Sequence, residues 1–384
     1  MFKSYTLPFK LLGIPLRLDI SFLFILALFT WIVGIQVGVF TNLFNNLLNT
    51  SIDFSTIRGG ATPYWLGFLS TLGLFVGVAV HELGHAVVAR RYGVEVKDIT
   101  LMFLGGVVQF NEMPRQRGAE AIVGIAGPIT SVLVAGVSWV LLQIMPGSAD
   151  SAQFVLAFLT FQNVFLAIFN LLPALPLDGG RVLRSLLALR MPYLRATQIS
   201  ASVSRFIAIL LGIYGLLNLS IFLVIIAFFI YSAVRSETQY AQVTELLSGI
   251  RVRDLMTRDV VSVEPDMPVA QLIKLMFFKK HLGYPVLDGE QLVGMVKLQH
   301  ARGLDDEATV GEIMSKEVNT ITEDKDALEA FKRINQNDLG RLVVVDEAGK
   351  MTGILSKTDL VRTLQVQAVG NEMPNAPSNP QPDA

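Results

Sequence analysis

Six apolar stretches, near residues 20–40, 64–89, 118–143, 152–172, 201–217 and 219–234, approach or reach the roughly 20 residues that cross a hydrocarbon core. Inside lipid a backbone must satisfy its own polar groups, so such stretches have to be helices. The last two are short and are separated by little more than Asn218. All six fall in the first 234 of 384 residues, a part that carries 14 Lys+Arg and 9 Asp+Glu, whereas residues 235–384 carry a net charge of −6. The overall charge of −1 therefore hides two bodies in different solvents, +5 and −6. Only 16% of the side chains are charged, against roughly 25% in an ordinary soluble domain, which argues against a purely soluble protein. No basic excess exists to neutralise a phosphate backbone, so a lipid bilayer is an expected partner and nucleic acid is not.

Basic side chains orient the spans. With the N-terminus inside, Lys3, Lys10, Arg17, Arg90, Arg91, Lys97, Arg115, Arg117, Arg181, Arg184, Arg190, Arg195 and Arg235 fall on one side and only Arg58 on the other. By the positive-inside rule this predicts a multi-pass protein of the cell membrane with both termini cytoplasmic. The first apolar run is too long for a removable signal and is read as a retained span. Two segments interrupt the helical pattern. Residues 94–112, β-branched and centred on Gly105-Gly106, read as a hairpin or extended edge. Residues 171–180 (LLPALPLDGG) break the fourth span at Pro173 and Pro176, just before Asp178.

Val80-His81-Glu82-Leu83-Gly84-His85-Ala86 places an H-E-x-x-H pattern inside an apolar helix. Positions i and i+4 share a helix face, so His81 and His85 can present two imidazoles to one metal, with Glu82 beside its open position. The alternative is a pair of buried histidines bonded to backbone with Glu82 as an ion-pair partner; three ionisable groups within five residues of a span favour function. The chain has no Cys, so any metal must be held by His and carboxylate, and a hydrolytic nucleophile must be Ser, Thr or water. A catalytic zinc site usually has three protein ligands. His281 and His300 belong to the acidic half, which leaves Asp178, at the end of the fourth span, as the best placed third ligand, with a helix cap formed with Gly179-Gly180 as the competing role.

His81-Glu82-x-x-His85, followed by Asn170-x-x-Pro173-x-x-x-x-Asp178-Gly179, closely resembles the site-2 protease family of intramembrane zinc metalloproteases. The likeness extends to the Gly105-Gly106 hairpin and to Gly127-Pro128 in the third span. It implies that His81, His85 and Asp178 bind one Zn2+, that Glu82 is the general base, and that Asn170 positions the substrate or stabilises the oxyanion. For Asn170 a capping or interhelical hydrogen bond is the alternative. The implied substrate is a transmembrane protein cut within or near its span, and the 94–112 segment is a candidate edge onto which an unwound substrate adds as a strand.

Residues 253–365 repeat at an offset of about 58, as Val252-Arg-Asp-Leu-Met256 against Val310-Gly-Glu-Ile-Met314 shows. The repeat resembles a tandem pair of cystathionine-beta-synthase (CBS) domains, which fold together as an α/β Bateman module and often bind adenine nucleotides. The second copy keeps the family's G-x-x-[ST]-x-x-D pattern at Gly353, Ser356 and Asp359, whereas Lys297 and His300 replace it in the first. One nucleotide site through Ser356 and Asp359 is therefore open. So is a dimerisation or gating module without ligand, in which those residues cap the next helix.

The expected architecture is a multi-pass α-helical membrane domain of about six transmembrane helices with a small β-hairpin, 1–234, followed by a linker, 235–250. CBS domain 1 then covers 251–307, CBS domain 2 covers 308–366, and an aperiodic Pro/Asn-rich disordered tail covers 367–384. The module leaves room for a homodimer and for gating of the enzyme. A CBS-regulated metal transporter is the alternative function, since transporters also bury His and acidic residues.

Overall fold

A computed structural model describes residues 4–103, 105–110, 116–301, 308–336 and 339–372. The chain divides into two units, residues 1–239 and 240–384.

The first unit opens with two strands ahead of the first span that hydropathy does not disclose, β1 (Ser4–Leu11) and β2 (Ile14–Asp19). They form a hairpin around Leu12-Gly13, both at positive φ, the backbone that a two-residue hairpin turn requires. Asp19 ends β2 and caps α1 (Ile20–Ile35), accepting from the Ser21 N–H at 2.9 Å. The expected first span, 20–40, is not one straight helix. It stops at Gln36 and resumes as α2 (Val37–Leu47) bent by 72°. The bend buries Phe44 completely against Phe154 and Phe158, and lets Asn45 hold the Thr50–Ile52 loop through three hydrogen bonds of 2.7–3.0 Å. After the short α3 (Phe54–Ile57), α4 (Thr62–Arg91) runs for 30 residues, about 45 Å.

The expected hairpin follows as β3 (Val96–Met102) and β4 (Gly105–Phe110), with residues 104, 111 and 112 outside the described ones. β2 pairs with β3 in parallel, giving one four-stranded sheet in the order β1-β2-β3-β4. Then come α5 (Ala119–Ile144), α6 (Asp150–Asn170), α7 (Asp178–Ala188), α8 (Tyr193–Leu217) and α9 (Ile221–Leu246). Five helices are long and apolar enough to cross a membrane, and the bent α1–α2 pair makes a sixth. The last two spans are not short: α8 and α9 have 25 and 26 residues, because polar turns at 193–200 and 235–246 prolong the apolar stretches. The expected linker, 235–250, is thus helical to Leu246.

Inside this unit Arg184 of α7 is buried between two carboxylates, Glu120 of α5, with which it pairs closely, and Glu237 of α9 at 2.9 Å. Burial opposes its charge, but Glu120 and Glu237 outweigh that and hold the guanidinium above its ordinary pKa.

The second unit contains α10 (Val252–Leu255), α11 (Val269–Lys279), β5 (Gly283–Asp288), β6 (Gln291–Lys297), α12 (Val310–Ile313), β7 (Thr320–Thr322), α13 (Ala327–Gln336), β8 (Arg341–Val345), β9 (Met351–Ser356) and α14 (Lys357–Glu372). The two repeats exchange their leading segments. Thr257 of the first bridges to Ile354 in β9, and Ser315 of the second bridges to Met295 in β6. Met256 and Met314 thereby lie over Gly353 and Gly294, where any side chain would collide with their sulfur atoms. The expected disordered tail, 367–384, overlaps α14, which continues through Glu372. Residues 373–384 lie outside the described ones.

Candidate metal centre

The helix α4 carries His81 and His85 one turn apart on its buried face. Asp178 reaches them from a different element. The break at 171–177, anchored by the Leu175 N–H donating to Ser204 Oγ at 2.7 Å, ends α6 and starts α7 with Leu177 at the cap position. Asp178 is therefore the first helical residue and makes no capping bond. Its Oδ2 lies 3.1 Å from Nε2 of His81 and 3.1 Å from Nε2 of His85, and those two nitrogens are 3.2 Å apart.

The surroundings fix what these atoms offer. His85 Nδ1 is 2.7 Å from the Val123 carbonyl, which can only accept, so Nδ1 carries a proton and Nε2 is the nitrogen left to face Asp178 or a metal. His81 Nδ1 is held by Ser131 Oγ at 2.8 Å. A lone pair and a carboxylate oxygen facing each other at 3.1 Å repel unless a cation or proton lies between them. Zinc bonds of roughly 2.0–2.1 Å in tetrahedral geometry set ligands roughly 3.3 Å apart, which the observed edges approach to within about 0.2 Å. His81, His85 and Asp178 form the one group of three or more such side chains with metal-ligand spacing among the described residues, and they leave a fourth position for water or substrate.

Two glycines, whose sequence signal was only membership of a motif, shape this place. A Cβ at Gly127 of α5 would sit 2.1 Å from His85 Nε2 and 2.7 Å from His81 Nε2, inside the space a metal needs. A Cβ at Gly106 of β4 would lie 2.6 Å from Glu82 Cγ, so this edge strand passes directly over Glu82. Nothing in the sequence marks Ser131 or the Val123 carbonyl, the first because serine is a common residue in such helices and the second because a carbonyl has no residue identity.

Asn170 is not part of the cluster. Its Nδ2 donates to the Leu166 carbonyl at 3.0 Å, one turn back in α6. In the second unit, Asp359 Oδ2 accepts from the Ser356 amide at 2.9 Å and from Ser356 Oγ at 2.6 Å, while Ser356 Oγ accepts from the Asp359 N–H at 3.2 Å. Here the pair caps α14. In the first repeat, Nδ1 of His300 is buried and has no hydrogen-bond partner among the described residues.

Residues 69–151 and 146–211 match Peptidase family M50, and residues 252–303 and 310–366 each match the CBS domain. Zinc metalloprotease MJ0392 of Methanocaldococcus jannaschii is 33% identical over 365 residues, 95% of this chain and 97% of that protein. The chain belongs to peptidase family M50. Putative zinc metalloprotease sll0528 of Synechocystis sp. is 30% identical and covers 94% of this chain and 95% of its own length. A solved site-2 protease from M. jannaschii is 32% identical, covers 62% of this chain and 95% of its own, and superposes with a TM-score of 0.42. This M50 peptidase is a zinc metalloendopeptidase of the site-2 protease type, a multi-pass membrane protein with tandem CBS domains.

Proposed function

We propose that the peptidase hydrolyses peptide bonds within or near the transmembrane segments of other membrane proteins, using His81, His85 and Asp178 as zinc ligands and Glu82 as the general base. The observation that carries the assignment is the convergence of three buried acceptors at 3.1–3.2 Å, next to Glu82 and below an open sheet edge. A zinc ion in this cradle supplies Lewis acidity towards a carbonyl and acidifies water. Glu82 takes the proton of the attacking water and returns it to the leaving nitrogen, so no covalent intermediate is required. Val123 and Ser131 keep the two imidazoles aimed. Asn170, at the end of α6, is assigned to the substrate; its carbonyl-bonded amide must then rotate when substrate enters.

A helical substrate hides its scissile carbonyl in its own hydrogen bonds and has to unwind. The outer edge of β4, unpaired among the described residues, offers the unwound segment a strand partner. Proline at alternating positions from Val107 to Phe110 removes outward amides, and unchanged cleavage in all of those variants would refute the strand model. The one-sided distribution of basic residues supports cytoplasmic termini, with the CBS module on that side gating the enzyme and offering a nucleotide site at Ser356 and Asp359 and a dimer contact. A transporter would need ligands at successive depths, whereas the described residues hold one cluster.

The deciding experiment is Glu82→Gln. It should retain zinc, abolish cleavage and trap an intact single-span protein that the unmodified enzyme processes in the same membranes. An active Glu82→Gln enzyme would overturn the assignment, and zinc flux into proteoliposomes without hydrolysis would favour transport.

A further inference from the structure

The second unit carries an apolar and basic patch that its own fold does not use. On α11, Val269, Leu272 and Met276 face the core, while Ile273, Lys274, Phe277 and Phe278 lie on the outer side. Phe277, Phe278 and Leu282 are 80%, 77% and 62% exposed, the most exposed large apolar side chains of this unit among the described residues. The two phenyl rings pack edge to face with centroids 5.9 Å apart, presenting one apolar block. Lys279 ends the helix, and Lys280 takes the left-handed cap at φ +58, a place where Gly or Asn is the usual choice. No acidic side chain lies between Asp266 and Asp288, in a half of the chain whose net charge is −6.

The internal repeat supplies a control. At the offset of 58, the core positions Val269, Leu272 and Met276 become Ala327, Ala330 and Ile334, all buried in the same way. Phe277, Phe278, Lys279, Lys280 and Leu282 become Asn335, Gln336, Asn337, Asp338 and Gly340. The fold thus demands the inward residues and not the Phe-Phe-Lys-Lys surface.

We propose that this patch docks the CBS module onto the anionic headgroup surface of the bilayer, with Phe277, Phe278 and Leu282 entering the interface and Lys274, Lys279 and Lys280 pairing with lipid phosphates. Aromatic residues flanked by lysines are the composition of an interfacial anchor. Charge decides between a bilayer and a second copy of the chain: apposing two such patches about a two-fold axis brings three lysines against three, whereas an anionic leaflet is their complement. The tether helps too, because α9 runs unbroken from the last span into residue 240 and keeps the module at high effective concentration near lipid.

The chain contains no Cys, so Leu282→Cys gives the full-length protein a single nitroxide site. In phosphatidylcholine vesicles with 30% phosphatidylglycerol the label should show the oxygen accessibility of the acyl boundary, and in pure phosphatidylcholine or 0.5 M salt it should return to water. At roughly fivefold per lysine, the double change Lys279→Gln/Lys280→Gln should lower the docked-to-free ratio about 25-fold. A label on the corresponding helix of the second repeat, Asn335→Cys at the place of Phe277, should stay aqueous throughout. A label at 282 that remains aqueous in the anionic vesicles overturns the proposal. So does one shielded equally in neutral lipid and detergent, which, with disulfide crosslinks forming between Leu282→Cys copies, would make a second chain the occupant.

Discussion

Replacing Gly127 by Ala should empty the metal centre without unfolding the protein. The added Cβ would stand 2.1 Å from Nε2 and 2.5 Å from Cε1 of His85, against about 3.4 Å for ordinary contact, so the imidazole must retreat by more than 1 Å. His85 cannot retreat freely, because its Nδ1 is bonded to the Val123 carbonyl at 2.7 Å. A 1 Å displacement at a reacting centre costs about 100-fold in rate, and loss of an outer hydrogen bond alone costs about 10- to 100-fold in metal affinity. We expect zinc affinity to fall at least 100-fold and cleavage to become undetectable. Helix propensity works the other way, since Ala is favoured over Gly by up to about 1 kcal/mol in a helix interior, so a site-specific loss will not be mistaken for a failing α5. The assay is metal content per chain in zinc-buffered dialysis, alongside turnover of a single-span substrate. Gly136→Ala, on the same helix with nothing within 4 Å of the new methyl, is the matched control and should behave as the unmodified enzyme. If Gly127→Ala binds zinc within threefold of that control and cleaves at its rate, the placement of the metal between His81, His85 and Asp178 is wrong.

Ser131→Ala removes the partner of His81 Nδ1 and should weaken zinc about 10- to 100-fold while leaving the thermal midpoint nearly unchanged, as equilibrium metal binding and calorimetry will show. Gly106→Val pushes β4 away from Glu82 and should lower kcat/KM with zinc content intact; loss of zinc instead would show that the strand supports the ligands rather than the substrate. Arg184→Met leaves Glu120 buried without its cation and should destabilise the membrane unit by about 3–5 kcal/mol, much of which the double variant with Glu120→Gln should restore in denaturant titrations.

What the sequence discloses about this site follows from how each part is specified. The meeting of His81, His85 and Asp178 is legible because a metal site would demand such side chains, and the i, i+4 spacing survives any detail of packing. The hairpin at 94–112 is legible from its β-branched run. The strands at 4–11 and 14–19 carry the same kind of signal, a Gly13 turn between Leu11 and the alternating Ile14-Pro15-Leu16-Arg17-Leu18, but Lys10 and Arg17 read equally well as membrane anchors. The bend at Gln36 escapes a hydropathy count because its cause is remote: Phe44 is drawn into an aromatic cluster with Phe154 and Phe158, more than 100 positions away. Gly127 acquires its meaning only once α5 is known to cross α4 at the histidines. Asn170 shows the opposite limit, since a motif position marks the residue but not its contacts, and here its amide is turned back onto Leu166.

The three proposed zinc ligands are not held equally, and that sets the order in which the centre would assemble. His81 and His85 are both clamped from α5, by Ser131 and by the Val123 carbonyl, on one continuous helix. The Asp178 carboxylate has only the two imidazoles as hydrogen-bond partners among the described residues, and it sits at the start of a helix that follows a proline-broken turn. Removing the cation from three buried acceptors at 3.1–3.2 Å leaves a repulsion that only a proton or separation relieves. Where they separate, the least restrained gives way, so Asp178 withdraws while the histidine pair stays in place. Metal binding then completes the junction between α4 and α7, and part of the binding free energy becomes stability of that junction. Hydrogen exchange should accordingly rise on chelation across 171–180 and the first turn of α7, and change little at 78–86. Uniform deprotection of α4 and α7 together would refute this unequal division.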